Sequence, residues 1–166
     1  MATIIGGQRT NLEEADMANI GSVRDKNLLK EVVVALLSKV SSTKYKTEII
    51  KLCFILDYLY CKRFGTKEGP TTVSYVRYNY GPYSEVFIEV FEELAREGKI
   101  AEVSLPFGAG YCIARIADTS VSAEVQSAVK EAVDKFGTKS LRELKSFIYE
   151  LEEFKKTDFG KEIVLN

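Results

Sequence analysis

The chain has 166 residues, 46% of them apolar, a formal net charge of −1 and no histidine. Those values fit one domain with a sizeable core rather than two. They exclude the global cationic excess of a nonspecific nucleic-acid binder and any Ser-His-Asp, Cys-His or histidine-metal chemistry.

Three cysteines, Cys53, Cys61 and Cys112, form an odd set without a Cys-x-x-Cys pair, which reads as small buried residues in a reducing cytoplasm rather than a zinc site. Residues 1–24 mix Gly, Asn, Asp and Glu without a sustained apolar period, so a flexible N-terminal lead-in is expected before a single domain at 25–166. Gly6-Gly7 is no phosphate loop, because no Gly-Lys-Ser/Thr follows. No basic leader and no apolar run of ~18 residues is present, so the expectation is a soluble cytoplasmic protein without membrane association.

Leu28, Leu29, Val32, Val33, Leu36, Leu37 and Val40 recur at helical spacing behind Asp25, which predicts a helix over about 26–40 capped by that carboxylate. The next segment, KTEIIKLCFILDYLYCKRFG, offers Thr47 as N-cap and Gly65 as C′ residue. It is apolar on nearly every face, which marks a central, buried helix. Asp57 lies in its middle and needs a cation, a tyrosine hydroxyl or a backbone donor if it is buried.

Beyond the TKEGP turn, TTVSYVRYNY carries the alternation of an extended segment. Gly81-Pro82 then ends that segment, and Ser84 can cap a helix whose apolar residues are Phe87, Val90, Phe91 and Leu94. Two strands, about 99–104 and 111–116, follow around a loop containing Pro106, Gly108 and Gly110. Ser122 opens a further helix, and the capping box SLRE at 140–143 opens a last one running through LRELKSFIYELEEF. The expected fold is α+β and mainly helical: a winged-helix-like core of helices and a short β-hairpin, with extra N- and C-terminal helices.

Charge is segregated along the chain. Residues 39–79 hold eight Lys/Arg against three acids, whereas residues 80–110 hold six Glu against Arg96 and Lys99. The helix that would enter the major groove in an ordinary winged helix is therefore the acidic one, with Glu85, Glu89, Glu92 and Glu93 along one face. Any nucleic-acid contact falls instead to Lys44, Lys46, Lys62, Arg63 and Lys67, a set that can equally be a solvated surface. The adjacent carboxylates Glu92-Glu93 and Glu152-Glu153 diverge on their helices and make no acid/base pair.

Within YVRYNYGPYSEVF, residues 75–87, the tyrosines Tyr75, Tyr78, Tyr80 and Tyr83 admit two readings. One is an exposed aromatic patch that anchors a partner, with Arg77 beside it. The other is a corner packed on the central helix, with Tyr78 and Tyr80 on one face and Arg77 and Asn79 on the other. Asp57 and Arg77 are candidates for a buried ion pair or a Tyr-Asp-Arg network. Alternatively, Arg77 is solvated and Asp57 bonds to a tyrosine or the backbone.

Taken together, KLCFILDYLYCKRFG and SYVRYNYGPYSEVFIEVFEELAREGKI resemble the Panacea domain, the antitoxin family with SocA-like and phage-associated members. The shared features are Leu52, Asp57 and Tyr60 on the central helix, Gly65 ending it, the aromatic segment leading into Gly81-Pro82-Tyr83, and Leu94-x-x-x-Gly98-x-Ile100. What the resemblance implies is a non-enzymatic domain without a cofactor that neutralises a partner toxin by direct contact. The alternative is a winged-helix transcription regulator using the atypical basic surface.

Overall fold

The computed structural model describes residues 20–113 and 121–165. Most of the expected lead-in, Gly6-Gly7 included, and positions 114–116 of the second expected wing strand lie outside the described residues. The described chain is α+β and mainly helical: β1 (Ser22–Val23), α1 (Lys26–Lys39), β2 (Lys44–Tyr45), α2 (Lys46–Phe64), β3 (Val73–Ser74), β4 (Val76–Tyr78), β5 (Gly81–Tyr83), α3 (Val86–Arg96), β6 (Ile100–Leu105), β7 (Gly108–Ile113), α4 (Ala123–Phe136), α5 (Leu141–Tyr149) and α6 (Glu152–Lys155).

The central helix is α2. Ile49, Ile50, Leu52, Cys53, Phe54, Ile55, Leu56 and Cys61 are all buried on it, and it packs against α1, α4, α5 and β5. Its sequence is apolar around the cylinder because neighbours meet it on every side. The helix starts one residue before the expected cap at Thr47. The Glu48 carboxylate, three residues after Tyr45, reaches back to accept the Tyr45 N–H at 3.0 Å, so a carboxylate rather than a threonine hydroxyl fixes the start. Gly65 ends it in the left-handed region at φ 66, its N–H bonded to the Cys61 carbonyl at 2.8 Å.

Asp25 caps α1, accepting the Leu28 N–H at 3.1 Å. Residues 20–24, read from sequence as part of the loose lead-in, are instead tied down. Ser22 and Val23 pair with Ser74 and Val73, the Arg24 N–H bonds the Thr72 carbonyl at 3.0 Å, and the Ile20 carbonyl accepts from Glu85 at 2.9 Å. Backbone pairing, which leaves no periodic signature over two residues, holds this segment.

The sheets are small. β1 pairs with β3, β4 with β5, and β2 with β7, which pairs in turn with β6; every pair is antiparallel. The β6-β7 hairpin is tighter than expected: Leu105 faces Gly108 across the two-residue turn Pro106-Phe107, so β7 begins at Gly108. Gly110, expected in the loop, lies inside the central strand opposite Val103 and Tyr45. A Cβ there would run into the Leu105 side chain and sit 2.7 Å from the Lys44 carbonyl oxygen. Gly110→Ala should cost about 2 kcal/mol by forcing β2 off β7, a loss that denaturant unfolding would register. An unchanged midpoint would mean that the β2 backbone shifts freely.

Two further expectations on caps and ends change. Ser84 does not cap α3: its hydroxyl is buried without a hydrogen-bond partner, and the Phe87 N–H goes to the Ser84 carbonyl at 3.4 Å. A Cβ at Gly21 would meet that hydroxyl, so Ser84 is the small residue that lets the chain at Gly21 close over it. The single last helix is broken, α5 ending at Tyr149 and the short α6 starting at Glu152 after an extended Leu151. The break brings Phe154 onto Tyr149, ring centroids 5.1 Å apart, and sets Glu153 against Lys62.

Part of the acidic face of α3, Glu89 and Glu93, is docked on α1. Lys26 of α1 bonds Glu89 at 2.9 Å and Glu93 at 2.8 Å, and Lys30 bonds Glu93 at 3.3 Å and also Glu97. Such solvent-screened pairs contribute little to stability and mainly set the register of α1 on α3.

Candidate functional site

Two sites emerge from the residues singled out in the sequence, one inside the fold and one on its surface. The inner one is built on Asp57, which is fully buried. The turn Gly69-Pro70-Thr71-Thr72, closed by the Thr72 N–H on the Gly69 carbonyl at 3.0 Å, lies flat on it. A Cβ at Gly69 would collide with the Asp57 side chain, so only glycine allows this approach. The turn delivers the Thr71 N–H to Asp57 Oδ1 at 3.0 Å and the Thr71 hydroxyl to Oδ2. The Tyr75 hydroxyl completes the set at 2.9 Å.

Burial, the largest influence, pushes the Asp57 carboxyl up to about 7, although the three hydrogen bonds work against it. Thr72 holds φ 60, a strained value for a β-branched residue. Its hydroxyl bonds the Asp25 N–H at 3.0 Å, which ties the cap of α1 to the turn over α2.

Arg77 takes no part in this network, so the expected Asp57-Arg77 ion pair does not form. Its guanidinium lies over the Phe154 ring, 4.4 Å from the centroid, and donates to the carbonyls of Phe154 at 3.2 Å and Thr157 at 3.0 Å. The alternative reading of Asp57, a tyrosine and a backbone donor, is the one observed. Tyr75 is likewise corrected as a partner-binding candidate, because its ring is buried edge-on against Phe54 at 5.1 Å. It is the corner residue.

The surface site is an aromatic groove of about 560 Å³ lined by Arg77, Tyr78, Asn79, Tyr149, Phe154, Asp158 and Phe159. One wall is the β4-β5 hairpin. Its turn is Asn79-Tyr80, not Gly81-Pro82, since Tyr78 pairs with Gly81 and Arg77 with Pro82. Pro82 is tolerated in the strand because the Arg77 N–H and carbonyl opposite it face away, toward Lys161 at 2.9 Å and Gly160 at 2.7 Å. Gly81 takes φ 113, which suits glycine.

Alternation lapses at the turn, so Tyr78 and Tyr80 do not share a face. Tyr80 projects at the tip, 68% exposed, with the Lys145 ammonium 5.2 Å from its ring centroid. Tyr78 stacks between Tyr83 at 5.8 Å and Phe159 at 5.5 Å. Phe159 is 61% exposed, and Tyr149 is exposed as well.

The basic candidates are dispersed. Lys44 is buried in β2, and Lys46 lies 5.8 Å from the centre of the Tyr111 ring. Lys62 and Arg63 belong to the other end of α2, about 25 Å away at 1.5 Å per residue, and Lys67 follows just beyond its Gly65 cap. Lys62 is held by Glu153, and Arg63 by Glu131 at 3.1 Å.

Sequence reasoning missed Thr71, Tyr149, Phe154 and Phe159. Only the last carried a local signal, Phe159-Gly160 as an aromatic turn following a helix. Among the described residues no group of three or more His, Cys, Asp or Glu could hold a metal ion, and no helix is long and apolar enough to cross a membrane. In comparison with known proteins, the chain matches no family model, no curated protein and no solved structure.

Proposed function

We propose that this chain is a non-enzymatic, antitoxin-like interaction domain of the cytoplasm that neutralises or regulates a partner protein by docking it in the groove between the β4-β5 hairpin and the 154–159 segment. The observation that carries the reading is the groove itself: Tyr149 and Phe159 are large exposed rings lining one concavity, and Tyr80 projects from the tip of the hairpin that forms its wall. Tyrosine supplies wide contact area at low entropy cost, the usual anchor of an interface. The neighbouring Tyr78 and Arg77 are pinned by stacking and by carbonyl hydrogen bonds, so the surface is ordered in advance of any partner.

The Panacea resemblance points the same way, and it rests on the quoted residues. A winged-helix-like core is supported by the order of helices and hairpin and by β2, which arises between α1 and α2 and pairs with the wing strand β7. The nucleic-acid reading gains no comparable support, because its five cations are split between the two ends of α2 and two of them are already neutralised.

A photo-crosslinking residue in place of Tyr80 should capture one specific protein in the native host. The same residue at Phe107, the 92% exposed tip of the other hairpin, should not. Equal capture from both tips, or from neither, would remove the groove as the docking surface.

A further inference from the structure

Lys51 projects from α2 with only 3% of its surface exposed. Among the described residues no ion pair or hydrogen bond reaches its ammonium. That is costly for a buried cation, and a fold that keeps one ordinarily compensates it. Its nitrogen is not sealed in, since among the described residues the one buried, unpartnered side-chain polar atom cut off from water is Ser84 Oγ.

The ammonium lies beside Gly81: a Cβ there would stand 3.6 Å from Lys51 Cε, 3.7 Å from Lys51 Nζ and 3.7 Å from Tyr149 Cε1, ordinary contact distances, so the bare glycine leaves a gap one methyl wide between the ammonium and a ring of the groove wall. Lys145, one helical turn before Tyr149 on α5, brings a second ammonium to the same hairpin, over Tyr80. Burial, and after it the Lys145 charge, lowers Lys51 to about 8.

The nearby acids do not answer these charges. Among the described residues Asp158, which lines the groove, makes no ion pair with either lysine, Glu150 is held by Lys155 at 3.3 Å, and Arg77 is committed to the Phe154 and Thr157 carbonyls.

We propose that Lys51 and Lys145 form a carboxylate-binding notch at the Gly81 end of the aromatic groove, which receives an Asp or Glu side chain of the protein docked there. This inference rests on the groove being a docking surface and adds the chemistry of its occupant: an acidic segment carrying an apolar or aromatic residue beside the acid. A nucleic-acid backbone fits less well, because it presents charge continuously whereas these ammoniums are recessed and flanked by exposed rings. A charge-assisted bond to a desolvated ammonium is among the stronger polar contacts available to an interface.

The test uses the full chain, immobilised, and equal pools of acidic, neutral and basic random peptides, each containing tyrosine. The acidic pool should bind, and Lys51→Met and Lys145→Met should each weaken it by about tenfold or more. Tyr80→Ala should weaken acidic and neutral pools alike. Lys145 is half-exposed, so its variant reports even if Lys51→Met alters folding.

An acidic pool held no better than the neutral one overturns the notch, as do lysine variants that bind like the wild type. If Tyr80→Ala fails to bind while the lysine variants bind normally, the groove stands and the notch falls. If none of the three changes binding, both fall. Displacement of the acidic pool by a single-stranded oligonucleotide, through Lys51, would assign the notch to phosphate and overturn the protein occupant.

Discussion

At pH 5, replacing Asp57 by alanine is expected to lower folding stability by about 3–5 kcal/mol. Three donors converge on this side chain: the Thr71 N–H, the Thr71 hydroxyl and the Tyr75 hydroxyl. The two hydroxyls, 3.4 Å apart, can turn toward each other once the carboxyl is gone. The Thr71 N–H cannot, and it stays buried without an acceptor beside a new cavity. At pH 5 the native carboxyl is neutral, so its removal is not offset by relief of a buried charge. Urea unfolding would show the effect as a midpoint shift at constant slope, and a loss under about 1 kcal/mol would mean that the 69–72 turn collapses onto α2.

The wild-type protein should lose up to about 4 kcal/mol of stability as pH rises from about 4 to about 7.5, and Asp57→Asn should flatten that decline. The folded carboxyl is held up to about 7, above the ordinary value near 3.8 of the unfolded chain. Between those limits the folded state keeps a proton that the unfolded state has released, so raising the pH favours unfolding. Stability from this group is therefore fully present below about 4 and lost as pH passes 7.

Other shifted groups act at the edges of this window. Glu93, Glu97, Glu143 and Glu153 are held below their usual range, so they add stability as pH climbs through about 4.5 and oppose the Asp57 effect only there, while Lys51, lowered to about 8, acts above it. Asparagine keeps an acceptor for the Thr71 N–H and offers its amide to the two hydroxyls, without a charge to bury. Equal pH slopes in the wild type and the variant would place the titration elsewhere.

Helices were the legible part of this fold, because Phe87, Val90, Phe91 and Leu94, like Leu29, Val32, Val33 and Leu36, bury the residues that recur at helical spacing. Asp57 was legible as a need: a carboxylate inside an apolar helix must find donors. Which donors it finds was not legible, since the answer lies in a turn whose shape depends on a positive φ at Thr72 and on bare backbone at Gly69. Neither leaves a periodic trace.

The hairpin shows the same limit. Gly81-Pro82 has the composition of a turn, yet long-range pairing with Gly160 and Lys161 sets the register and moves the turn to Asn79-Tyr80. The groove was half visible for the same reason, its tyrosine wall lying in one segment and Tyr149, Phe154 and Phe159 some 70–80 residues further on.

That separation bears on how the protein is made. β4 is bordered on one side by β5 and on the other by the 160–163 segment, which accepts the Arg77 N–H at Lys161, donates from Gly160 to Arg77, and bonds Tyr75 from the Ile163 N–H at 2.8 Å. Translation delivers the first border nearly 80 residues before the second. During synthesis, therefore, α1 to α3 can gather around Asp57 while the outer edge of β4 stays open. The Asp57 network can thus form before the 154–159 wall of the groove has been made.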